Sequence, residues 1–237
     1  MLSTLKSLYR LLIPAVCPVC GAVLSADSSE VCMECMMHLP YTHLWAASQN
    51  AMEQRLSGNI PVVRAAALFW FREQSKWRSV IHDFKYHNQW YIAGQMGRLC
   101  AQRFQESGFF DDVDLIIPVP LHPWRRLSRG YNQSEYIAAA ISRQTKIPYC
   151  FNAVRRCKNN PPQVSQNYSS RWTNIEDIFA VSRPELLEGK HIVIVDDVFT
   201  TGATIITLAK IILKACGGNV RISVATLAVS QHISEAQ

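Results

Sequence analysis

The stretch from Val193 to Thr204 constrains the fold more than any other part of the sequence. A run of β-branched residues, 192–195, precedes two adjacent acids, Asp196 and Asp197, and a hydroxyl-rich turn then leads into an apolar segment with helical periodicity. A buried strand, a short turn and a helix in this order are typical of α/β domains. The sequence therefore predicts an α/β domain with a central, mainly parallel sheet flanked by helices, and it predicts both carboxylates at a strand end.

The turn after the acids has the composition of an anion site. It consists of Thr200, Thr201, Gly202, Ala203 and Thr204. Backbone N–H groups at a helix N-terminus attract phosphate, hydroxyl groups add donors, and glycine permits close approach. The two preceding carboxylates repel phosphate, so we expect them to bind the hydroxyls of a sugar that carries it, or a Mg²⁺ ion bridging to it. The pattern predicts a ribose 5-phosphate site.

Two Cys-x-x-Cys pairs stand near the N-terminus, Cys17 with Cys20 and Cys32 with Cys35. Each pair can form a tight turn that points both sulfurs at one centre, so four thiolates can surround a tetrahedral metal ion. Zinc is the expected metal; iron uses the same geometry, and two disulfides are the competing interpretation. A closed four-cysteine site has no open coordination position, so its predicted role is structural.

The positive charge is concentrated in one part of the chain. The sequence contains 24 Lys and Arg against 18 Asp and Glu, a formal net charge of +6. Residues 122–171 hold nine of the basic residues and a single acid, Glu135. Such a field attracts a phosphate-bearing partner, either a phosphorylated sugar or a nucleic acid, although a solvated basic face has the same composition.

Length and hydropathy predict a cytoplasmic protein without a membrane span. The 237-residue chain has no apolar stretch that approaches the roughly 20 residues a spanning helix needs. Lys6 and Arg10 interrupt the apolar N-terminal segment, which is therefore expected to be an amphipathic helix and not a signal peptide.

The chain is predicted to divide near residue 58. Residues 1–58 would form an N-terminal helix and a four-cysteine zinc-binding module, and residues 59–237 the α/β domain. Residues 38–58 and 122–132 are interpreted as loops. Strands are predicted over residues 62–71, 114–120, 147–151, 191–195 and 220–229, and helices over 75–105, with an interruption near His87, 132–145 and 204–216.

Together these motifs resemble a known family. The acid pair followed by Thr-Thr-Gly-x-Thr is similar to the phosphoribosyl pyrophosphate (PRPP) motif of type I phosphoribosyltransferases. The added four-cysteine knuckle and the Pro-Val-Pro-Leu-His segment at 118–122 make the chain resemble the ComF/GntX family of competence and DNA-utilisation proteins. The resemblance covers nearly the whole chain and departs at 164–166, where Val-Ser-Gln replaces the usual Gly-Leu.

The resemblance implies roles for individual residues. Asp196 and Asp197 would bind the ribose hydroxyls, and Lys85 would join the turn residues 200–204 in binding phosphate. Pyrophosphate would be bound by Arg125, Arg126 and Arg129, and the hood loop that closes over the sugar would include Gln163, Arg171 and Asn174. The implied reaction displaces pyrophosphate at C1 of PRPP with the help of Mg²⁺. The sequence identifies no acceptor-binding segment.

The resemblance also implies a part in the uptake or utilisation of external DNA, as a nutrient or in competence. An alternative function is therefore a non-catalytic single-stranded DNA-binding module that uses the basic loops 122–171. Aromatic residues interleaved with the basic ones could stack bases or simply pack in the protein: Trp124, Tyr131, Tyr149, Tyr168 and Trp172. A third interpretation is that the zinc knuckle docks onto a protein complex for DNA uptake.

Overall fold

The computed structural model describes residues 15–24, 30–72, 74–86, 90–158 and 178–233, with only the backbone for 82–86. The predicted N-terminal helix up to residue 14, and the hood loop from residue 159 onward, lie outside these residues.

A four-stranded parallel sheet forms the centre of the described structure. Its strands are β1 (Ala65–Phe71), β2 (Leu115–Pro118), β5 (His191–Phe199) and β6 (Arg221–Ser230), in the spatial order β1-β6-β5-β2. All three pairings are parallel. A separate antiparallel pair joins β3 (Val154–Arg156) to β4 (Phe179–Val181). The predicted mainly parallel sheet is confirmed.

Seven α-helices lie among the described residues. They are α1 (Met33–Met37), α2 (Ala51–Ser57), α3 (Trp77–Tyr86), α4 (Trp90–Gln105), α5 (Pro123–Arg129), α6 (Gln133–Thr145) and α7 (Ala203–Ala215). Short 3₁₀ turns span Leu44–Ala46, Pro184–Leu186 and Gln231–Ile233.

Both faces of the sheet are buried under helices, as parallel sheets require. One apolar cluster joins residues of α4 and α6 to alternate residues of the strands, such as Leu68 and Val193. The other cluster joins α2 and α7 to the intervening strand residues, such as Ala67 and Ile194. The strands are therefore apolar in nearly continuous runs because each of their two sides faces a helical layer.

The four-cysteine segment packs onto the first of these clusters. Cys17, Val31 and Cys35 are buried in the same apolar group as Phe69 and Trp77. In addition, the Ser79 hydroxyl of α3 donates to the Pro18 carbonyl at 3.0 Å. The module is thus attached to the β1 side of the sheet by both apolar and polar contacts.

Several predicted helix ends agree with the structure. The predicted helical segment 75–105 contains α3 and α4, and the Ser75 hydroxyl accepts from the N–H of Trp77 at 3.2 Å; the predicted interruption near His87 lies outside the described residues. Asn132 caps α6 by accepting from the N–H of Ser134 at 3.2 Å. Polar side chains at these positions satisfy N–H groups that the first turn of a helix leaves unpaired.

Three predictions about local structure were wrong. The segment 38–58 contains α2, where Asn50 and Glu53 form a reciprocal capping box. The segment 122–132 contains α5, which His122 caps through Nδ1 and which ends at Gly130 with a positive φ. The predicted strand 147–151 makes only a single parallel bridge, from Tyr149 to Ile116; Pro148 within it has no N–H to donate, and Tyr149 and Phe151 are exposed.

The outer edge of β1 is covered by residues 40–53. The backbone of the segment around Tyr41 pairs antiparallel with Phe69, and the N–H of Trp70 donates to the Pro40 carbonyl at 2.8 Å. At the start of the strand, the N–H of Ala65 donates to the Glu53 carboxylate at 3.1 Å, and the Ala65 carbonyl accepts from the Asn50 amide at 2.8 Å. The polar backbone groups at both ends of this edge are therefore satisfied.

Within the residues that the structure describes, none of the helices has the length and apolar character needed to span a bilayer.

Candidate functional site

The sheet topology creates a crevice between β2 and β5. The chain after β2 leads to α6 on one face of the sheet, whereas the chain after β5 leads to α7 on the opposite face. The two connections diverge, so the carboxyl ends of these neighbouring strands open into a crevice. Ligands of open α/β sheets bind at such switch points.

A cleft of about 400 Å³ occupies this position. It receives carboxylates from β5, arginines from α5 and β3, and hydroxyl and amide groups from the N-termini of α6 and α7. The polar side chains that line it are Arg125, Arg129, Asn132, Gln133, Ser134, Arg156, Asp196, Asp197, Thr200 and Thr204. Its volume is within the usual range for a small-ligand site.

The two acids lie inside β5 and not at its end, because the strand continues to Phe199. Asp196 Oδ1 accepts from the Ser134 hydroxyl at 2.9 Å and from the N–H of Asp197 at 2.9 Å. Asp197 is buried, with 9% of its surface exposed, yet it also lines the cleft. The strand and the first turn of α6 therefore fix the acid pair at the cleft floor.

The turn after β5 has a strained geometry that only glycine accommodates. Gly202 has φ of +79°, and a Cβ atom added to it would lie 2.6 Å from Cζ of Phe199. The hydroxyl of Thr201 accepts from the N–H of Ala203 at 3.3 Å, directly before α7. Thr200 and Thr204 line the cleft, whereas Thr201 lines a neighbouring cleft. The predicted turn-to-helix arrangement is confirmed.

The three arginines predicted to bind pyrophosphate lie on α5, but only two of them line the cleft. Arg125 and Arg129 are one helical turn apart and both line the cleft. Arg126 points elsewhere: its Nη1 lies 3.0 Å from the Glu135 carboxylate. Glu135 also accepts from the Asn132 amide at 3.4 Å, and this amide donates to the Val119 carbonyl at 3.0 Å. Arg126 thus ties α5 to the cap of α6.

Arg156 is a cleft residue that sequence reasoning missed. It extends from β3, with its guanidinium carbon 5.4 Å from the centroid of the Phe179 ring. Burial lowers the pKa of Arg156, and the nearby charge of Arg125 lowers it further, while Asp196 acts in the opposite direction. No motif surrounds Arg156, and only the tertiary fold brings β3 to this cleft, so the sequence offered no local signal.

The remaining predicted site residues are only partly described. Lys85 lies in α3, four residues after Ile81, which lines the cleft, but its side chain is outside the described structure. Gln163, Arg171 and Asn174 of the hood loop are outside the described residues altogether. Their assigned roles stay predictions.

The four cysteines converge as predicted. The sulfur atoms of Cys17, Cys20, Cys32 and Cys35 all lie within 4.8 Å of one another. The sulfurs of Cys20 and Cys32 are 3.7 Å apart, close to the spacing of about 3.8 Å that a tetrahedron with Zn–S bonds of about 2.3 Å requires. A disulfide needs a separation of about 2.05 Å, and all eight cysteines are free thiols.

Backbone groups in this cluster favour a thiolate. Burial raises the pKa of Cys17, but hydrogen bonds from backbone N–H groups, including that of Cys32 at 3.5 Å, outweigh it and lower the pKa to about 7. The N–H of Cys35 also points at the sulfur of Cys32 over 3.4 Å and favours its thiolate, although burial and the sulfurs of Cys20 and Cys17 leave the pKa of Cys32 raised while no metal ion is bound. Thiolates held by N–H groups are the form that binds metal, so the residues present fit a structural metal ion.

Comparison with known proteins gives matches to one domain family and to a set of relatives. Residues 132–236 match the family model described as the phosphoribosyl transferase domain. Competence protein F of Haemophilus influenzae is 34% identical over 140 residues, which cover 57% of this chain and 61% of the relative. DNA utilization protein YhgH of Shigella flexneri is 28% identical over 210 residues, covering 87% and 88%.

A third relative is Competence protein ComFC of Bacillus subtilis. It is 24% identical over 199 residues, which cover 84% of this chain and 72% of the relative. The matched domain contains the acid pair, the turn 200–204 and the Ser134 contact, and two of the relatives align over most of the chain. The parallel sheet, the matched domain and the named relatives support the assignment of this chain to the ComF family, and the chain has a phosphoribosyltransferase-like fold and an N-terminal four-cysteine cluster.

Proposed function

We propose that the cleft between β2 and β5 binds PRPP or a related ribose phosphate. The observation that carries the proposal is the meeting, in one cleft, of the acid pair 196–197, of Thr200 and Thr204 from the helix-opening turn, and of three arginines. Carboxylates suit sugar hydroxyls, and helix N-terminal amides and guanidinium groups suit phosphates. A ligand that carries a sugar between two phosphate-bearing ends matches this division of charge.

Each group has a separate task in this proposal. Asp196 and Asp197 accept hydrogen bonds from the ribose hydroxyls, with Ser134 holding Asp196 in place. The turn 200–204 binds the 5-phosphate through backbone N–H and hydroxyl groups. Arg125 and Arg129 bind the pyrophosphate group, and Arg156 adds a third cation. Arg126 supports this set by pairing with Glu135, so it is a positioning residue and not a direct ligand.

The carboxylates of Asp196 and Asp197 are also hard oxygen ligands of the kind Mg²⁺ prefers. Bound with PRPP, Mg²⁺ would neutralise part of the pyrophosphate charge as that group leaves. The protein's own contribution is to align the sugar and the leaving group, which lowers the entropic part of the barrier.

The names of the relatives extend the proposal to the cell. Proteins called competence and DNA utilization proteins imply a role in handling external DNA, and we propose the same for this chain.

We further propose that zinc is the metal of the four-cysteine cluster, that residues 1–58 and 59–237 form two domains, and that the protein is located in the cytoplasm. The thiolate-favouring contacts of Cys17 support the metal site, and reduced thiols persist in that compartment.

The decisive experiment is calorimetric titration of PRPP into the full chain with and without Mg²⁺. We expect Mg²⁺-dependent binding that is lost in the Asp196→Asn plus Asp197→Asn variant. The matched control is Asp111→Asn plus Asp112→Asn, an exposed pair of adjacent acids outside the cleft, which should bind normally. Wild-type affinity in the 196–197 variant would contradict the site assignment.

A second candidate function is single-stranded DNA binding, and the exposure of α5 favours it. Trp124 is 70% exposed and stands next to Arg125 and Arg126 on this helix. An exposed indole beside guanidinium groups can stack on a base while the cations contact phosphates.

Salt dependence separates the two functions. DNA affinity should fall steeply as salt rises, because contacts to phosphates release counterions. It should also weaken in Trp124→Ala, because the indole can no longer stack on a base. PRPP affinity should depend chiefly on Mg²⁺ and on the acid pair. Oligonucleotide affinity that is weak at low salt and insensitive to Trp124 would remove the DNA-binding alternative.

A further inference from the structure

A second, larger cleft lies beside the first along the same sheet edge. Its volume is about 900 Å³, and it lies at the carboxyl ends of β1, β6 and β5. Phe71 and Thr200 line both clefts, so the two share a wall. Small-molecule sites usually measure about 300 to 1,000 Å³, so this cleft can hold a ligand of its own next to the first.

The lining of the second cleft differs in chemistry from that of the first. It offers one guanidinium, from Arg72, and two imidazoles, from His38 and His232. The amides of Gln74 and Gln231 add donors and acceptors. Among the described lining residues none is acidic; Glu73, between Arg72 and Gln74 in the chain, is outside the described structure. The lining therefore favours an anion that also has hydrogen-bonding edges.

Aromatic side chains complete the cleft. Phe71 is half-buried at the end of β1, and Trp77 opens α3 and packs on Phe69, with ring centroids 5.6 Å apart. Aromatic side chains beside amide groups suit a flat heteroaromatic ring, because the ring can stack on the aromatic side chains while its edge forms hydrogen bonds with the amides. Arg72 adds the group that recognises phosphate oxygens in a bidentate manner.

The four-cysteine module supplies one wall of this cleft. His38 follows directly after α1, the helix that Cys32 caps and that contains Cys35, and its Nδ1 lies 2.8 Å from the Glu34 carbonyl and 3.3 Å from the Glu34 carboxylate. Pro40, the next contributor, accepts from the N–H of Trp70 through its carbonyl at 2.8 Å. The wall is thus held by the cysteine cluster on one side and by the edge of β1 on the other.

We propose that the second cleft binds a mononucleotide, with its phosphate on Arg72 and its base between Phe71 and the two glutamine amides. The cleft is composite, because both the four-cysteine module and the α/β domain build it. Metal binding by the cysteines and nucleotide binding are consequently linked: each orders the wall that carries His38 and Pro40. This proposal does not require that the first cleft binds PRPP.

Calorimetric titration of AMP into the metal-loaded full chain tests the site. We expect AMP to bind, adenosine and inorganic phosphate each to bind more weakly, and Arg72→Gln to lower AMP affinity at least about tenfold. Arg98→Gln, an exposed arginine of α4 outside both clefts, is the matched control and should bind AMP normally. Absence of AMP binding, or unchanged affinity in Arg72→Gln, would overturn the proposal.

Two further variants identify the cleft and test the link to the module. Asp196→Asn plus Asp197→Asn should leave the Arg72-dependent binding of AMP unchanged, even if binding of PRPP and of any AMP held as a ribose phosphate in the first cleft is lost. Loss of all AMP binding in that variant would place AMP in the first cleft and refute the second site. His38→Gln should weaken AMP binding while the metal content, measured by mass spectrometry, stays unchanged. Removal of the metal should also weaken AMP binding. If both His38→Gln and the metal-stripped protein bound AMP as tightly as the unmodified, metal-loaded protein does, the composite cleft would be refuted.

Discussion

The hydroxyl of Ser134 donates to Oδ1 of Asp196 at 2.9 Å, across 62 positions of sequence, and thereby joins the first turn of α6 to the middle of β5. The same carboxylate oxygen accepts from the N–H of Asp197. Two donors on one oxygen fix the orientation of the carboxylate, so the second oxygen of Asp196 is presented in a defined direction.

Ser134→Ala should therefore weaken PRPP binding without unfolding the protein. The hydrogen bond to the carboxylate is charge-assisted, but it acts on the ligand only through the orientation of Asp196, so we expect affinity to fall about threefold to tenfold. Calorimetry measures the effect, and Ser142→Ala, near the other end of the same helix and outside the cleft, should bind as the unmodified protein does. Equal affinity of the two variants would show that Ser134 does not position Asp196.

Gly202→Ala should lower the free energy of unfolding by about 1 to 3 kcal/mol. The substitution places a Cβ atom against the Phe199 ring and imposes a positive φ on an L-residue. The matched control is Gly94→Ala in α4, where nothing lies within 4 Å of the added atom. That variant should gain stability, because alanine favours the helix interior. Urea titration of both variants measures the difference in the free energy of unfolding. If Gly202→Ala were as stable as Gly94→Ala, position 202 would not require glycine.

Arg156→Gln should reduce PRPP affinity at least about tenfold, because a guanidinium–phosphate contact is charge-assisted. The neighbouring Arg155 provides the control, since it is exposed and does not line the cleft. A titration in which Arg155→Gln and Arg156→Gln behaved alike would show that general charge, and not the position in the cleft, accounts for the effect.

The stability of the fold should depend on the protonation of His191. Arg221 Nη2 lies 2.8 Å from the His191 Nδ1, which also lies 3.1 Å from the Asp112 carbonyl, and the His191 Nε2 lies 2.9 Å from the Ser223 hydroxyl. Burial and the charge of Arg221 both lower the pKa of His191. The unfolded chain therefore binds the proton more readily, and stability should be lost as pH falls below about 6.5 towards the lower folded pKa.

Denaturant titrations between neutral pH and pH 5 would measure this dependence. His191→Gln should show a shallower loss of stability over that range, whereas His232→Gln, on the exposed final turn, should keep the full dependence. An unchanged slope in His191→Gln would assign the pH dependence to other groups.

Cys35→Ser should lose the bound metal and much of the solubility of the protein, because Cys35 is both a cluster thiol and part of the apolar core. Cys157→Ser is the control, since Cys157 is exposed and is not one of the four clustered cysteines. Metal analysis and light scattering provide the readouts. A stable, monodisperse Cys35→Ser protein without metal would argue against a structural role for the cluster.

The sequence predicted the features that depend on residues close together in the chain. The β-branched run before Asp196 predicted β5, the Asn132 cap predicted α6, and cysteine spacing predicted the cluster. Helix α2 could have been found from its capping box, Asn50 with Glu53 three residues later, but the polar surroundings of this segment obscured the signal.

Other features depend on contacts that are distant in sequence. Arg156 reaches the cleft only because β3 pairs with β4 near the sheet end, and the shared wall at Thr200 depends on how three strands end together. Helix α5 was predicted as a loop because its seven residues expose Trp124 and Leu127 and bury none of their side chains, so no amphipathic pattern marks it.

The covering of the β1 edge has a consequence for self-association. A bare outer strand would offer unpaired N–H and C=O groups on which a second molecule could add a strand, a common beginning of aggregation. Here the backbone around Tyr41 pairs with Phe69, and the side chains of Asn50 and Glu53 form hydrogen bonds with the backbone carbonyl and N–H of Ala65. The segment between the cysteine cluster and β1 therefore covers this edge of the sheet, so that a strand of another molecule cannot pair with β1.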